Sequence, residues 1–310
     1  MSDRAAVPST GVVPASAFPR HDDDCAPFVA ALGVPGYLDV HVHVLPPRLQ
    51  EAVWRFFDTL DDPPWPVTYR ADEVTRLATL RALGVVIHPA LAYAHRPDVA
   101  TWCNEHTLAL AERDDAVLPT FTFFPEPGVE RYVADAIERG GRVAKVHLQV
   151  GRFDANDPSL DAVWGRLVDA AVVVVIHASA VYGVEGGADY CGPDGIARLL
   201  RRFPGLRLVV AHLGAPDPDA AFVALAEEHD GLHLDTAMVL TDPPYPEPYP
   251  VEHLPRLAAL VRDGKLLFGS DFPTIPHPYA GQVRGLAQLE LDAAGLRALF
   301  HDNAAALLRP

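Results

Sequence analysis

The sequence predicts a (β/α)8 TIM barrel. Three observations predict it. From Gly36 onward, short β-branched runs alternate with longer amphipathic segments. There are eight such runs. Several are nearly all apolar, as parallel strands buried on both faces must be. Eight β/α alternations in about 275 residues suit a barrel of this class. A doubly wound open sheet is the competing architecture, but no GxGxxG turn follows any predicted strand.

In chain order, the strands are expected at Tyr37–His41, Val85–Pro89, Val117–Phe123, Val143–Leu148, Val172–His177, Arg207–His212, Leu232–Asp235 and Lys265–Gly269. The segments between them carry apolar residues at helical spacing. Ala71–Leu83 does so through Val74, Leu77, Leu80 and Leu83. Asp98–Arg113, Val129–Glu138, Leu160–Ala170, Gly195–Phe203 and Pro218–His229 follow the same pattern. Gly84, Gly140 and Gly205 stand where helices should stop. Residues 1–35, rich in Pro, Ala, Ser and Asp, are expected to form an irregular N-terminal arm or a surface strap ahead of a single barrel over residues 36–310. Thr241–Pro255 is dense in proline and is expected to be an ordered loop at the barrel mouth, neither helix nor central strand. Arg55–Tyr69, rich in proline and aromatics, is expected to be a loop of similar kind.

Composition narrows the function classes. The chain has 310 residues, 49% of them hydrophobic, and a net charge of −16. That balance disfavours nucleic acid and anionic membrane surfaces, which select basic patches, without arguing for a particular substrate; a small molecule is the expected partner. Three widely spaced cysteines, with no CxxC, point away from a disulfide framework and towards a reducing cytoplasm. The N-terminal stretch lacks the apolar core of a signal peptide. Barrels of this size often pair, so a homo-oligomer is compatible with the sequence.

In such barrels chemistry sits at the C-terminal ends of the strands. There the chain places His41 and His43, Lys145 and His147, His177, His212 and Asp271. His41 and His43 are two apart, so on a strand both side chains share a face. With His177 and the Asp271 carboxylate they form a three-nitrogen, one-oxygen set that suits one divalent transition metal, with an open position for water or substrate. Zinc is the expected ion, with Mn2+ or Fe2+ as alternatives. Taken alone, the HxH pair fits an exposed strand equally well; recurrence of polar residues at strand ends is what favours the metal. Asp271 would serve equally as an N-cap or Asx turn, and His212 as a satisfied core histidine. Lys145 ends an apolar strand, so its amine needs a polar centre or an acid. His147, Tyr93 and His95 are candidate substrate contacts, and Arg48 and Arg152 candidate anion binders.

The pattern Asp39-Val-His-Val-His43, Ala144-Lys-Val-His147, Val175-Ile-His-Ala178, Arg202 to Gly214, Leu234-Asp-Thr236, Leu267-Phe-Gly-Ser-Asp-Phe-Pro273 and Asn303 to Leu308 resembles the amidohydrolase superfamily. Within it, the likeness is to the amidohydrolase-2 branch related to aminocarboxymuconate-semialdehyde decarboxylase. The resemblance implies a barrel with one divalent metal, usually zinc and sometimes manganese. It gives the ligand role to His41, His43, His177 and Asp271, and a substrate-polarising or proton-transfer role to His212. It implies a supporting or substrate contact for Lys145, since this branch usually carries one metal. It does not choose the reaction. The leading expectation is hydrolysis of a small ester, lactone or amide by metal-activated water. In that scheme Asp271 relays the proton and His212 steadies the developing oxyanion. The alternative is non-oxidative decarboxylation of an aromatic or unsaturated carboxylic acid. A more distant alternative is a barrel without turnover that serves as a binding scaffold.

Overall fold

The computed structural model describes residues 11–180, 183–215, 217 and 219–309. Short parallel strands alternate with helices along the chain. The strands are β1 (Tyr37–Leu38), β2 (Val85–Pro89), β3 (Val117–Leu118), β4 (Thr120–Thr122), β5 (Val143–His147), β6 (Val173–His177), β7 (Arg207–Val210), β8 (Leu232–Asp235) and β9 (Leu266–Leu267). The helices that matter below are α1 (Cys25–Ala31), α2 (Pro47–Phe57), α3 (Glu73–Leu83), α4 (Ala100–Ala111), α5 (Val129–Glu138), α6 (Leu148–Gly151), α7 (Asp161–Asp169), α8 (Pro193–Arg202), α9 (Ala221–Glu228), α10 (Leu254–Arg262) and α11 (Tyr279–Gly285). No helix among the described residues is long and apolar enough to cross a membrane. The contacts group the residues into two compact units. One comprises residues up to Val42, Glu51–His88 and Thr236–Arg309; the other comprises His43–Gln50 and Pro89–Asp235.

In the first unit, β1 pairs in parallel with β2, Tyr37 opposite Val85 and Leu38 opposite Ile87, with a register shift between the two pairs. Beyond Leu38 the chain stays extended without a regular ladder. Val40 N–H donates to Phe268 O at 3.0 Å, and Val42 bridges Phe272 in parallel. After β8, Thr236 N–H donates to Leu267 O at 3.1 Å. Strand one is therefore shorter than the predicted Tyr37–His41, because the Asp39 carboxylate takes the His41 N–H at 3.1 Å in place of a ladder bond. α3 is capped as its sequence requires: Asp72 accepts from Thr75 N–H at 2.7 Å, and Gly84 ends it with φ 91°. The core is aromatic. Tyr37, Phe268 and Phe300 pack with ring centroids 5.1–5.4 Å apart, and Phe28 meets Phe300 edge-on at 6.1 Å.

Phe28 belongs to the stretch expected to be an irregular arm, and here the structure differs. Residues 1–10 lie outside the described residues, but Cys25–Ala31 is a helix that buries Cys25, Phe28 and Val29. Val13 N–H donates to Leu291 O at 2.9 Å, and Phe18 stacks on Phe28 at 5.0 Å. Two phenylalanines ten apart gain more from burial than the surrounding prolines and aspartates cost. Two other loop expectations are corrected. Pro47–Phe57 is a helix that runs into the expected Arg55–Tyr69 loop, and Leu254–Pro255 opens α10, where proline in the first turn has no N–H to satisfy.

In the second unit, β4 to β8 pair in parallel in sequence order. The predicted Val117–Phe123 strand is split at Pro119, which has no N–H to continue a ladder. Asn104 from α4 completes the gap: its Oδ1 accepts from Thr122 N–H at 2.7 Å and its Nδ2 donates to Thr122 O at 3.0 Å. β6 is the continuous run Val-Val-Val-Ile-His, buried throughout, as a strand covered on both faces should be. The helix predicted over Pro218–His229 is observed as Ala221–Glu228, with Pro218 outside the described residues. Trp164 on α7 is fully buried, meets Phe123 edge-on at 5.2 Å and donates to Ala155 O at 2.8 Å. Trp164→Ala should therefore lower unfolding free energy by about 3–5 kcal/mol, read as an earlier denaturant midpoint at unchanged slope.

Candidate metal centre and substrate-binding site

Within the first unit, two stretches carry the residues of interest. His41 is buried, and its Nε2 lies 3.6 Å from Asp271 Oδ1. The Asp271 N–H donates to His41 O at 2.7 Å, so backbone and side chains of the two stretches meet twice. Asp271 sits at φ 64°, in the left-handed region that aspartate tolerates better than most residues. That turn aims its carboxylate at the histidine instead of continuing the strand.

Beneath this pair lies Asp39, wholly buried. Its Oδ1 accepts from His41 N–H at 3.1 Å and Ser270 N–H at 3.0 Å, and its Oδ2 accepts from the Tyr279 hydroxyl at 3.1 Å. Burial pushes its carboxyl up to about 7, while hydrogen bonds from Ser270, His41 and Tyr279 pull it the other way. Gln282 adds a further tie, donating to Ser270 O at 2.6 Å and accepting from Met238 N–H at 2.9 Å.

In the second unit the imidazoles form a ladder. His147 stacks flat on His177, centroids 3.9 Å apart and planes 13° from parallel, because the register sets the two residues opposite each other on β5 and β6. The His177 ring meets His212 at 4.9 Å and 61°. On the other side, Tyr93 lies 5.3 Å from His147, and His43 meets Tyr93 edge-on at 5.7 Å. Hydrogen bonds orient several of these rings. His43 Nδ1 donates to Leu91 O at 3.0 Å, which orients the ring. His147 Nδ1 accepts from Val150 N–H at 3.4 Å as the N-cap of α6. Ser179 Oγ lies 3.3 Å from His177 Nε2.

His212 departs from the expected strand end. β7 stops at Val210, and His212 and Leu213 both take left-handed conformations, φ 58° and 56°. Two such residues in a row are costly unless the surroundings hold them. Asp235, fully buried at the end of β8, accepts the His212 N–H at 2.9 Å. Gly214 continues the turn at φ 74°, where any Cβ would run into the Phe222 ring.

Lys145 is buried, with its backbone carbonyl accepting from the Thr122 hydroxyl at 2.7 Å. His95 is half-buried, and burial, reinforced by Arg96, lowers its pKa. Arg48 is exposed at the start of α2. Arg152, also exposed, donates to Glu185 O at 2.8 Å and so braces a loop. Sequence reasoning missed the parts played by Asp39, Asp235, Ser179 and Tyr279. Asp39 and Asp235 left a signal, Asp39 two residues before His41 in the same alternating stretch and Asp235 at the end of a predicted strand.

Within the first unit, the His41 imidazole beside the Asp271 carboxylate has the donor chemistry of a divalent-cation site. The sequence matches the family model described as amidohydrolase over residues 38–309. No curated protein matches it. Solved structures similar to it include an uncharacterised TIM-barrel protein from Bordetella bronchiseptica (17% identity, 87% of this chain and 98% of that one, TM-score 0.69). A second is 5-carboxyvanillate decarboxylase from Sphingomonas paucimobilis (16%, 89% and 99%, 0.64). A third is a putative 2-pyrone-4,6-dicarboxylic acid hydrolase from Pseudomonas putida (19%, 89% and 98%, 0.61). At these identities the likeness shows the fold, a (β/α)8 barrel.

Proposed function

The chain belongs to the amidohydrolase family, and on that premise we propose that it is a metal-dependent hydrolase of a small ester, lactone or amide. The observation that carries this reading is the His41–Asp271 pair, a buried imidazole 3.6 Å from a partly exposed carboxylate. His41, His43, His177 and Asp271 are the proposed ligands, zinc the proposed ion, and residues 36–310 one catalytic barrel. A bound divalent metal would lower the pKa of water and polarise the scissile carbonyl.

The residues of the chain supply the rest. Asp271 accepts a proton from the attacking water and returns it to the leaving group. His212, fixed through its backbone by Asp235, offers its imidazole to the carbonyl oxygen as charge develops there. Stacking on His147 holds the plane of the His177 ring. Tyr93, His95, His147 and Lys145 are proposed to meet the substrate. Arg48 and Arg152 are weaker candidates, one exposed at a helix start and the other engaged with Glu185 O. Two buried cysteines without disulfides, Cys25 and Cys103, suit a reducing compartment, so a cytoplasmic location belongs to the same proposal.

Decarboxylation of an aromatic acid is the second reading. The likeness to 5-carboxyvanillate decarboxylase and to 2,6-dihydroxybenzoate decarboxylase favours it. One experiment separates the two. The zinc- or manganese-loaded protein is given a panel of lactones, esters, amides and aromatic carboxylic acids in 18O-labelled water. Hydrolysis is expected to place 18O in the product carboxylate. Release of CO2 without 18O incorporation would replace hydrolysis with decarboxylation, and no turnover of any member would favour the scaffold alternative.

A further inference from the structure

The proposed chemistry gives Asp39 nothing to do, yet this carboxylate is wholly buried and accepts hydrogen bonds from two stretches of backbone. One donor is His41 N–H at 3.1 Å; the other, 231 residues away, is Ser270 N–H at 3.0 Å. Both belong to the stretches that carry His41 and Asp271. A single carboxylate bonded to both sets their separation. The third donor, the Tyr279 hydroxyl at 3.1 Å, orients the carboxylate from α11.

The chain of bonds does not end at Tyr279. Its N–H donates to the Tyr69 hydroxyl at 2.6 Å, and that hydroxyl donates to Asp22 Oδ2 at 2.5 Å. Asp22 Oδ1 also accepts from Ala280 N–H at 3.0 Å. Tyr69 packs its ring on Phe272, next to Asp271, at 4.8 Å. Arg284 on α11 donates to Pro19 O at 3.2 Å and Arg20 O at 3.3 Å. The N-terminal segment around Asp22 is thus bonded into the support of the site.

We infer that Asp39 is the positioning residue for the His41–Asp271 pair, held in place through Tyr279 and Tyr69 by Asp22 of the N-terminal segment. Metal ligation tolerates errors of only a few tenths of an ångström, and loss of a group that orients a ligand typically costs about 10–100-fold in metal affinity. The effect at the metal rests on the function proposed above; the positioning itself does not.

The test uses Tyr279→Phe, which removes one hydroxyl and keeps the ring that packs against Tyr37 and Phe268. Asp39→Asn, Asp39→Ala and Asp22→Asn accompany it. Amide hydrogen exchange is measured without metal, and Zn2+ affinity by competition with a chelator. In Tyr279→Phe the amides of His41 and Ser270 should exchange about tenfold faster, while β5 and β6 keep wild-type rates. Zn2+ affinity should fall by about 10–100-fold. Asp39→Asn, which keeps one acceptor oxygen for the two amides, should lose less than Asp39→Ala. Asp22→Asn should shift the same amides in the same direction by a smaller factor.

Wild-type exchange at His41 and Ser270 in Tyr279→Phe would overturn the inference, and so would faster exchange spread evenly over all strands. An Asp22→Asn protein identical to wild type would remove the N-terminal segment from the relay. Local acceleration in a protein whose wild type takes up no Zn2+ would uphold the positioning role and overturn the metal-dependent function instead.

Discussion

His41→Ala is expected to yield a folded protein that retains no metal after dialysis and shows no turnover. The imidazole is buried, and its Nε2 faces Asp271 Oδ1 at 3.6 Å. Removing it deletes a proposed ligand and leaves the Asp271 carboxylate without its imidazole neighbour. The fold should survive, because the backbone bonds His41 N–H to Asp39 and Asp271 N–H to His41 O do not use the side chain. A stability loss of about 1–3 kcal/mol is the ordinary cost of emptying such a site. Metal content by elemental analysis, circular dichroism and turnover of whichever panel compound the wild type converts together read the outcome. A His41→Ala protein that is fully metallated and active would end the assignment of this residue.

Asp271→Asn should separate the proposed ligation from the proposed proton transfer. The amide keeps the size of the side chain and one oxygen, so the left-handed turn at φ 64° persists, asparagine being as tolerant of it as aspartate. It cannot accept a proton at neutral pH. Turnover should fall by about 10²–10⁴-fold, the usual contribution of a positioned general base, and more than metal content falls. The comparison is made at saturating Zn2+, with kcat as the readout. Unchanged kcat in a metallated Asp271→Asn protein would move the proton-transfer role elsewhere, with His212 the next residue to test.

Much of this was legible in the chain. β6 lies where its run of valine and isoleucine predicts, because a strand buried on both faces cannot hide its composition. α3 announces its own ends through Asp72 and Gly84. The family match over residues 38–309 agrees with the resemblance read from Asp39–His43 to Asn303–Leu308. Less legible were the features that depend on a missing donor or a distant partner. Pro119 divides a run that looks continuous, and Phe28 turns a proline-rich arm into a packed helix because Phe300 lies far along the chain.

By itself the sequence determined the alternation of strands and helices, the presence of histidines and an aspartate on or just after the strands, and the chemical character of the donors. These follow from periodicity and residue type, which are local. Only the tertiary structure decided how those donors are held. It set His147 flat on His177 through the register of two strands, turned His212 away from its strand under the hold of Asp235, and gave Asp39 its bonds to Ser270 and Tyr279. Each of these is a contact between residues well separated along the chain. No local pattern encodes it, because register and hydrogen-bond partnership are set only when the whole core packs.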